Sequence, residues 1–249
     1  MNLSKTDILG WLKQGLKDRQ KYPEPTIVCA GIGGGGCNIV SELSRKRRNV
    51  VHYCLNTDSI SNAKRNDIKY MNVGMEYILD NRDSGGHPEI ARKVFKEEAG
   101  IIDSRVFSNA DFVVLVVALG GGTGSGGVIA TVKMLKTSNV PFRVYVVRPF
   151  EFEDNRKRVA DSTLSQLRIE TDQIEVFDNN EFQSLAEANR SIKEDIDSFI
   201  DSRIFFLEGR YRSYVESIME EELDKVLSER EIQIDIEVEP VQPQPVHPQ

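Results

Sequence analysis

Two glycine-rich stretches, each set between an apolar run and a helical pattern, constrain this chain more than anything else in it. Gly120-Gly121-Gly122-Thr123-Gly124-Ser125-Gly126-Gly127 follows the apolar run Phe112 to Ala118, which predicts a buried strand, and precedes the helical pattern Val128 to Lys136. Glycine costs chain entropy, so a plain turn has little use for so many. Between a strand and a helix such a loop exposes backbone N–H groups, and the helix dipole turns its positive end toward them. The product is an anion cradle, most often for phosphate.

A second loop, Gly31-Ile32-Gly33-Gly34-Gly35-Gly36-Cys37-Asn38, lies between a strand expected at Thr26 to Ala30 and a helix expected at Cys37 to Arg47. By letters it satisfies G-x-G-x-x-G. The strand Val50 to Leu55 then ends in Asn56-Thr57-Asp58, where a dinucleotide-binding fold places its ribose-binding acid. Gly31 to Gly36 alone fits an NAD-binding Rossmann oxidoreductase, but that reading leaves Gly120 to Gly127 without a role and supplies no evident proton donor. Two phosphate loops at the ends of two strands of one sheet describe a polyphosphate held from two sides. No G-x-x-x-x-G-K-[ST] occurs, so this is not a P-loop protein; backbone amides and a cation can neutralise phosphates without a loop lysine.

Together the loops resemble those of the tubulin/FtsZ family of GTP-binding, filament-forming proteins. Gly120 to Gly126 matches the family signature G-G-G-T-G-[ST]-G, and Gly31 to Asn38 matches its first loop. Asn56-Thr57-Asp58 matches the second loop, and Gly85-Gly86-His87-Pro88-Glu89-Ile90 is similar to the third, with His87 where FtsZ proteins usually have Asn. Arg148-Pro149-Phe150-Glu151-Phe152-Glu153 resembles the fifth. The match runs from about Pro25 to Arg203 and is closer to FtsZ than to eukaryotic tubulin.

The resemblance implies GTP or GDP with Mg²⁺. The amides of Gly33, Gly34, Gly35 and Gly36, and those of Gly121, Gly122, Thr123, Gly124, Ser125 and Gly126 after Gly120, would hold the phosphates, with Asn38 closing the first loop. The Thr123 and Ser125 hydroxyls would add bonds. Gly85 and Gly86 would close the γ-phosphate side. Asp58 would reach Mg²⁺ through water, and no side chain is expected to ligate a metal directly. Glu153 would bond the ribose, and Arg158 (or Lys157, one residue away in alignment) would approach ribose or phosphate. Asn179 resembles the sixth-loop asparagine, and Asn189 takes the place of the residue that reads the guanine edge. Leu185 stands where the family has a stacking aromatic, giving apolar cover without π stacking.

The chain has 249 residues, 39% apolar and 29% charged, enough for one large α/β core with accessories. Its net charge of −7 disfavours nucleic acid as a partner. The longest apolar run is strand length, no signal-peptide pattern opens the chain, and the three cysteines fit no metal spacing, so a reduced cytoplasmic protein is expected.

Strands are expected near 26–30, 50–55, 68–73, 112–118, 142–147 and 173–177, and helices near 37–47, 88–103, 126–137, 155–169 and 183–204. The alternation implies an α/β, Rossmann-like parallel sheet with helices on both faces. Residues 25–204 form the nucleotide-binding domain. Residues 1–24 form an amphipathic extension, with Leu3, Ile8, Leu12 and Leu16 on one face, Trp11 beside them and Ser4 or Thr6 as cap. Its basic bias permits membrane-surface contact, but packing on protein is favoured because Gly10 and Gly15 weaken an isolated helix. Tyr22-Pro23-Glu24-Pro25 stops it. Residues 205–239 hold a second amphipathic helix, Tyr211 to Ser228, then Glu231 to Glu239, whose period of two predicts an edge strand. Pro240 to Gln249 is Pro/Gln-rich and expected to be disordered.

After Arg203 the family pattern stops. The central helix should end in N-x-D-x-x-D, whose acids reach the next subunit's nucleotide and position the attacking water; this chain has Ile204-Phe205-Phe206-Leu207-Glu208-Gly209-Arg210. The residues needed for the second FtsZ domain are not there. The expected function is a GTP/GDP-binding assembly factor or regulator with little hydrolysis of its own, its nucleotide face meeting a second copy or a full-length FtsZ-like protein. The alternatives are a GTPase that polymerises by itself and the NAD-binding oxidoreductase.

Overall fold

The computed structural model describes residues 8–11, 13–14, 24–43, 47–58, 66–74 and 84–236. They fall into two compact units, Pro25–Ile204 and the pair Met1–Glu24 with Phe205–Gln249.

The Pro25–Ile204 unit is built on six parallel strands: β1 (Ile27–Ile32), β2 (Val50–Asn56), β3 (Lys69–Asn72), β4 (Phe112–Ala118), β5 (Phe142–Arg148) and β6 (Ile174–Asp178). Their spatial order is β3-β2-β1-β4-β5-β6. β1 pairs on one side with β2 and on the other with β4, with Ile32 opposite both Leu55 and Val117. Parallel strands need crossovers, and α1 (Gly33–Glu42), α2 (Pro88–Glu97), α4 (Gly122–Thr137) and α5 (Asp154–Glu170) supply them. From β1 the chain winds outward to β2 and β3; from β4 it winds the other way to β5 and β6. The order therefore reverses between β1 and β4, and a crevice opens beyond their carboxyl ends.

β1 and β4 read as unbroken apolar runs because both sheet faces are covered. Val28, Ala30 and Ile32 join Val113, Leu115 and Val117 against Phe95, Val128, Val132 and Leu135 in one core. On β4, Phe112 points to the other face, where its ring lies 5.7 Å from Phe199 and beneath the Arg203 guanidinium at 4.0 Å. Phe199 belongs to α6 (Leu185–Ile236). There Ala188, Ile192, Ile196 and Ile200 are fully buried, one stripe at a spacing of four. Each of the three isoleucines contributes about 1.5–3 kcal/mol relative to exposure. Arg47 ties α6 to the loop after α1, donating to Asp197 Oδ1 at 2.8 Å and to Asp201 Oδ1 at 2.5 Å.

The strands lie where the alternation put them, within two residues. The helices differ more. α1 and α4 begin at Gly33 and Gly122, inside the glycine runs, because these glycines pack as helix rather than hang as loop. The expected helix 88–103 is α2, a short α3 (Ala99–Ile102) and a π-helical turn Asp103–Phe107. Pro88 sits at the first turn of α2, where its missing N–H costs nothing. The expected helices 183–204 and Tyr211 to Ser228 are one helix, α6, and Glu231 to Ile236 continue it rather than form a strand. The six-stranded sheet does not include that segment. A lone strand leaves its backbone polar groups unpaired, whereas a helix satisfies its own. Gly209 has nothing within 4 Å and costs the helix only its propensity.

In the other unit, residues 8–11 and 13–14 are helical, and Lys13 Nζ lies 3.5 Å from Glu216 and 3.6 Å from Glu220. Trp11 is exposed. Leu3, Ser4, Thr6, Leu12, Leu16, the Tyr22-Pro23 stop and the Pro240 to Gln249 tail lie outside the described residues. Among the described residues no helix is long and apolar enough to cross a membrane.

Arg47 holds the Asp201 carboxyl below the usual carboxylate range, by hydrogen bonding first. A lowered folded pKa gives stability that is present above the unfolded value, about 3.9, and lost as the pH falls through the folded one. Asp201→Asn is therefore expected to be less stable than wild type at neutral pH, by under about 1 kcal/mol because the carboxylate is largely exposed. The gap should close below about pH 4, as read by denaturant titration at several pH values. Gly126→Ala would press its methyl onto the Pro88 carbonyl and lie 2.7 Å from Arg92 N. It should destabilise by about 1–3 kcal/mol, whereas Gly209→Ala should stabilise by about 1 kcal/mol.

Candidate functional site

The two glycine runs meet at the crevice. Gly33 has φ +72°, a conformation that glycine takes without strain, and a Cβ there would stand 2.8 Å from Gly124 N. The first turns of α1 and α4 thus touch at the switch point. Their leading N–H groups have no acceptor within their own helices, and both positive dipole ends face the same space.

The glycines divide into two kinds. Gly31, Gly35, Gly36, Gly122, Gly124, Gly126 and Gly127 have protein atoms where a side chain would begin. Gly36 abuts the Val116 carbonyl, Gly124 lies 2.5 Å from the Ala118 oxygen by the same measure, and Gly122 abuts Ser84 and His87. These are packing glycines. Gly34 and Gly121 are different: exposed, in ordinary backbone conformation, and with nothing within 4 Å of a built Cβ. Nothing in the protein requires glycine at either place.

The hydroxyls lock the loops. Gly120, at φ +97°, donates its N–H to the buried Ser125 Oγ at 3.0 Å, which closes the α4 entrance. Thr123 Oγ1 lies 2.6 Å from Thr57 Oγ1 and 3.3 Å from Ser84 Oγ, and the Ser84 N–H reaches Thr57 Oγ1 at 3.4 Å. All three residues are buried. The segment after β2, the one before Gly85-Gly86 and the start of α4 are thereby joined. Thr123 and Ser125, expected to bond phosphate by their hydroxyls, use them inside the protein. Gly85 and Gly86 form an exposed turn, and Asp58 is exposed beside Thr57. Among the described residues no three metal-ligating side chains cluster.

Next to the glycine runs a cavity of about 220 Å³ is lined by Gly35, Asn38, Ala118, Phe150, Glu153, Arg156, Asn179, Leu185 and Asn189, among others. The chain thus gathers Gly35, Asn38, Glu153, Asn179, Leu185 and Asn189 from four separate segments. Ile39 and Phe150 give it apolar walls beside the half-exposed Leu185. Asn179 is 7% exposed, and its buried Oδ1 has no hydrogen-bond partner. A buried acceptor left unpaired costs free energy until a donor arrives. Around it the loops are fixed by polar bonds. Arg148 donates to Asp178 Oδ2 at 2.6 Å and to Asp161 Oδ1 at 2.7 Å, and the Glu151 N–H donates to Asn180 Oδ1 at 2.9 Å.

Two arginines line this cavity, Arg148, held by Asp178 and Asp161, and Arg156, paired with Glu153 Oε2 at 2.8 Å. Arg158, two residues on, is about 200° further round the helix and lines a different depression. Lys157 is held by Glu151 Oε1 at 3.0 Å. Hydrogen bonding with Cys54, then burial, pushes the Cys37 thiol far up, so it adds no negative charge beside the glycine run. Of the hydroxyl triad only Thr123 was singled out from sequence, and Arg156 was not. Thr57 stands inside a recognised motif and Arg156 just after one, but the triad's members are distant in the chain.

Strand order, paired helix N-termini and the adjoining cavity define a nucleotide-binding α/β domain. The profile of the Tubulin/FtsZ family, GTPase domain, matches residues 26–187, and the chain belongs to that family. It is 27% identical to the cell division protein FtsZ of Neisseria gonorrhoeae over 68% of this chain and 43% of that one. It is 31% identical to FtsZ of Helicobacter pylori (strain ATCC 700392 / 26695) over 70% and 45%, and 32% identical to the mitochondrial division protein fszB of Dictyostelium discoideum over 68% and 46%. The chain therefore spans less than half the length of these curated relatives. An FtsZ dimer of M. jannaschii superposes with a TM-score of 0.64 at 24% identity, covering 81% of this chain and 59% of that one.

Ser125→Ala removes the acceptor of the Gly120 N–H and should cost about 1–2 kcal/mol of nucleotide-free stability. Asn179→Leu removes an acceptor that has no partner and should cost less than about 0.5 kcal/mol or stabilise. Urea denaturation of both variants checks the pair.

Proposed function

We propose that the Pro25–Ile204 unit binds GTP or GDP with Mg²⁺ and acts as a division or cytoskeletal assembly factor or regulator. The observation that carries this reading is that Gly34 and Gly121 are open on the protein side, at two helix N-termini that touch. A methyl there would meet only a ligand. The phosphates would lie against the first turns of α1 and α4, along Gly33 to Gly36 and Gly120 to Gly122. The base and ribose would enter the cavity, where Asn179 Oδ1 accepts a donor, Asn189 bonds the base edge, Glu153 takes a ribose hydroxyl, and Leu185, Ile39 and Phe150 exclude water. Bound nucleotide supplies the charge that draws in Mg²⁺, with Asp58 reaching it through water.

Hydrolysis is a separate matter. Phosphoryl transfer needs a positioned water and stabilised charge. Where the family resemblance calls for an acidic loop after the central helix, residues 204–210 continue α6 as Ile-Phe-Phe-Leu-Glu-Gly-Arg. Little turnover by the isolated chain is the reading this supports. The nucleotide face would then meet a second copy or lend its nucleotide to the acidic loop of a full-length FtsZ-like partner. Solved relatives include an FtsZ dimer and a TubZ protofilament from bacteriophage PhiKZ.

Calorimetry with GTP, GDP, ATP and NAD tests the binding. Guanine nucleotides should bind in preference, and Gly34→Ala and Gly121→Ala should weaken them about tenfold or more without lowering apo stability. Preference for NAD, or unchanged affinity in both variants, rejects the site. Phosphate release, measured with and without a full-length FtsZ, should be near background alone. Sedimentation of that FtsZ should change when this chain is added at equimolar ratio; rapid release by the chain alone supports the self-polymerising GTPase instead.

A further inference from the structure

A second depression, of about 430 Å³, lies between α2 and α5 and is lined by Glu89, Arg92, Arg158, Ser162, Thr163 and Gln166, among others. Two guanidinium groups share it, one from each helix. Arg92 Nε is buried with no hydrogen-bond partner. Among the described residues no carboxylate pairs with Arg92, and Arg158 reaches only the neutral Asn155 Oδ1, at 3.4 Å. The carboxylate that also lines it, Glu89, is turned to His87 Nδ1 at 3.0 Å. Four other arginines of this unit have carboxylate partners: Arg47 with Asp197 and Asp201, Arg143 with Glu175, Arg148 with Asp161 and Asp178, Arg156 with Glu153. Thr163, 3% exposed, brings a hydroxyl to the same place.

Two forked cations, one with a desolvated unpaired N–H, form a receptor for an oxyanion, the one carboxylate in the depression being engaged by His87. Arginine forks match a phosphate or carboxylate edge with two parallel hydrogen bonds, and burial strengthens those of Arg92. We infer that the α2–α5 depression binds a phosphoryl group, held by Arg92 and Arg158 with the Thr163 hydroxyl. It is separate from the crevice at Gly34 and Gly121 and does not depend on what binds there. It is nonetheless adjacent to α4, because Arg92 N stands 2.7 Å from where a Gly126 Cβ would be.

The test is a titration of inorganic phosphate into the full chain in phosphate-free buffer, followed by calorimetry and ³¹P NMR, with and without saturating GDP. Phosphate should bind with GDP present. Arg92→Gln should weaken it about tenfold or more, and Arg92→Lys, which keeps the charge but loses the fork, should restore part of it. Arg158→Gln, at an exposed side chain, provides the same reading if Arg92→Gln fails to fold. Competition by a second equivalent of GDP would identify a nucleotide's terminal phosphate as the source; its absence would identify free phosphate. No phosphate bound in the presence of GDP, or equal binding to wild type and both variants, overturns the inference.

Discussion

The site depends on a close approach that only glycine allows. Where the sheet reverses direction, the first turn of α1 meets the first turn of α4, and Gly33 and Gly124 stand so near that a side chain on Gly33 would strike the other helix's backbone. Gly36 against Val116 and Gly126 against Pro88 extend the same contact downward and outward. Bringing two helix N-termini together concentrates their positive ends and their unpaired N–H groups on one space. The hydroxyl triad of Thr57, Ser84 and Thr123 then fastens two further loops to that spot. The many glycines are thus mostly a packing device, and only a few, Gly34 and Gly121 among them, remain open.

The rest of the unit holds this junction in place by charge and shape. Arg148 clamps the end of β6 and the flank of α5, which sets the loop carrying Phe150 and Glu153 over the cavity. Arg47 and the isoleucine stripe fix α6, which carries Leu185 and Asn189 to the cavity's other wall. The neutral Cys37 thiol leaves the dipole field of α1 unopposed. Anion attraction at the crevice and apolar enclosure in the cavity are therefore supplied by different elements. That division suits a ligand with a charged end and a flat end.

Much of this was legible beforehand, for definable reasons. Strands β1 and β4 announced themselves because a strand covered on both faces must be apolar throughout. The loops were legible because helix starts packed this closely demand glycine, which leaves a literal trace. The positions of Asn179 and Glu153 were legible only through motif resemblance. Arg156 was not chosen over Arg158, since the choice depends on which side of α5 turns inward. Glu231 to Ile236, the end of α6, differ from the expected strand for a similar reason. Alternating Ile232, Ile234 and Ile236 fit a strand, yet a strand needs a neighbour that sequence cannot supply.

By itself, then, the sequence determined the layered α/β architecture, the two phosphate-type loops and the family, because these rest on local patterns of apolarity and glycine. Only the tertiary structure decided which glycines pack and which stay open, that the Thr123 and Ser125 hydroxyls bond within the protein, and that Arg92 and Arg158 share a depression. Those outcomes depend on what lies opposite each residue, and segments far apart in the chain meet only when the sheet has closed on its helices.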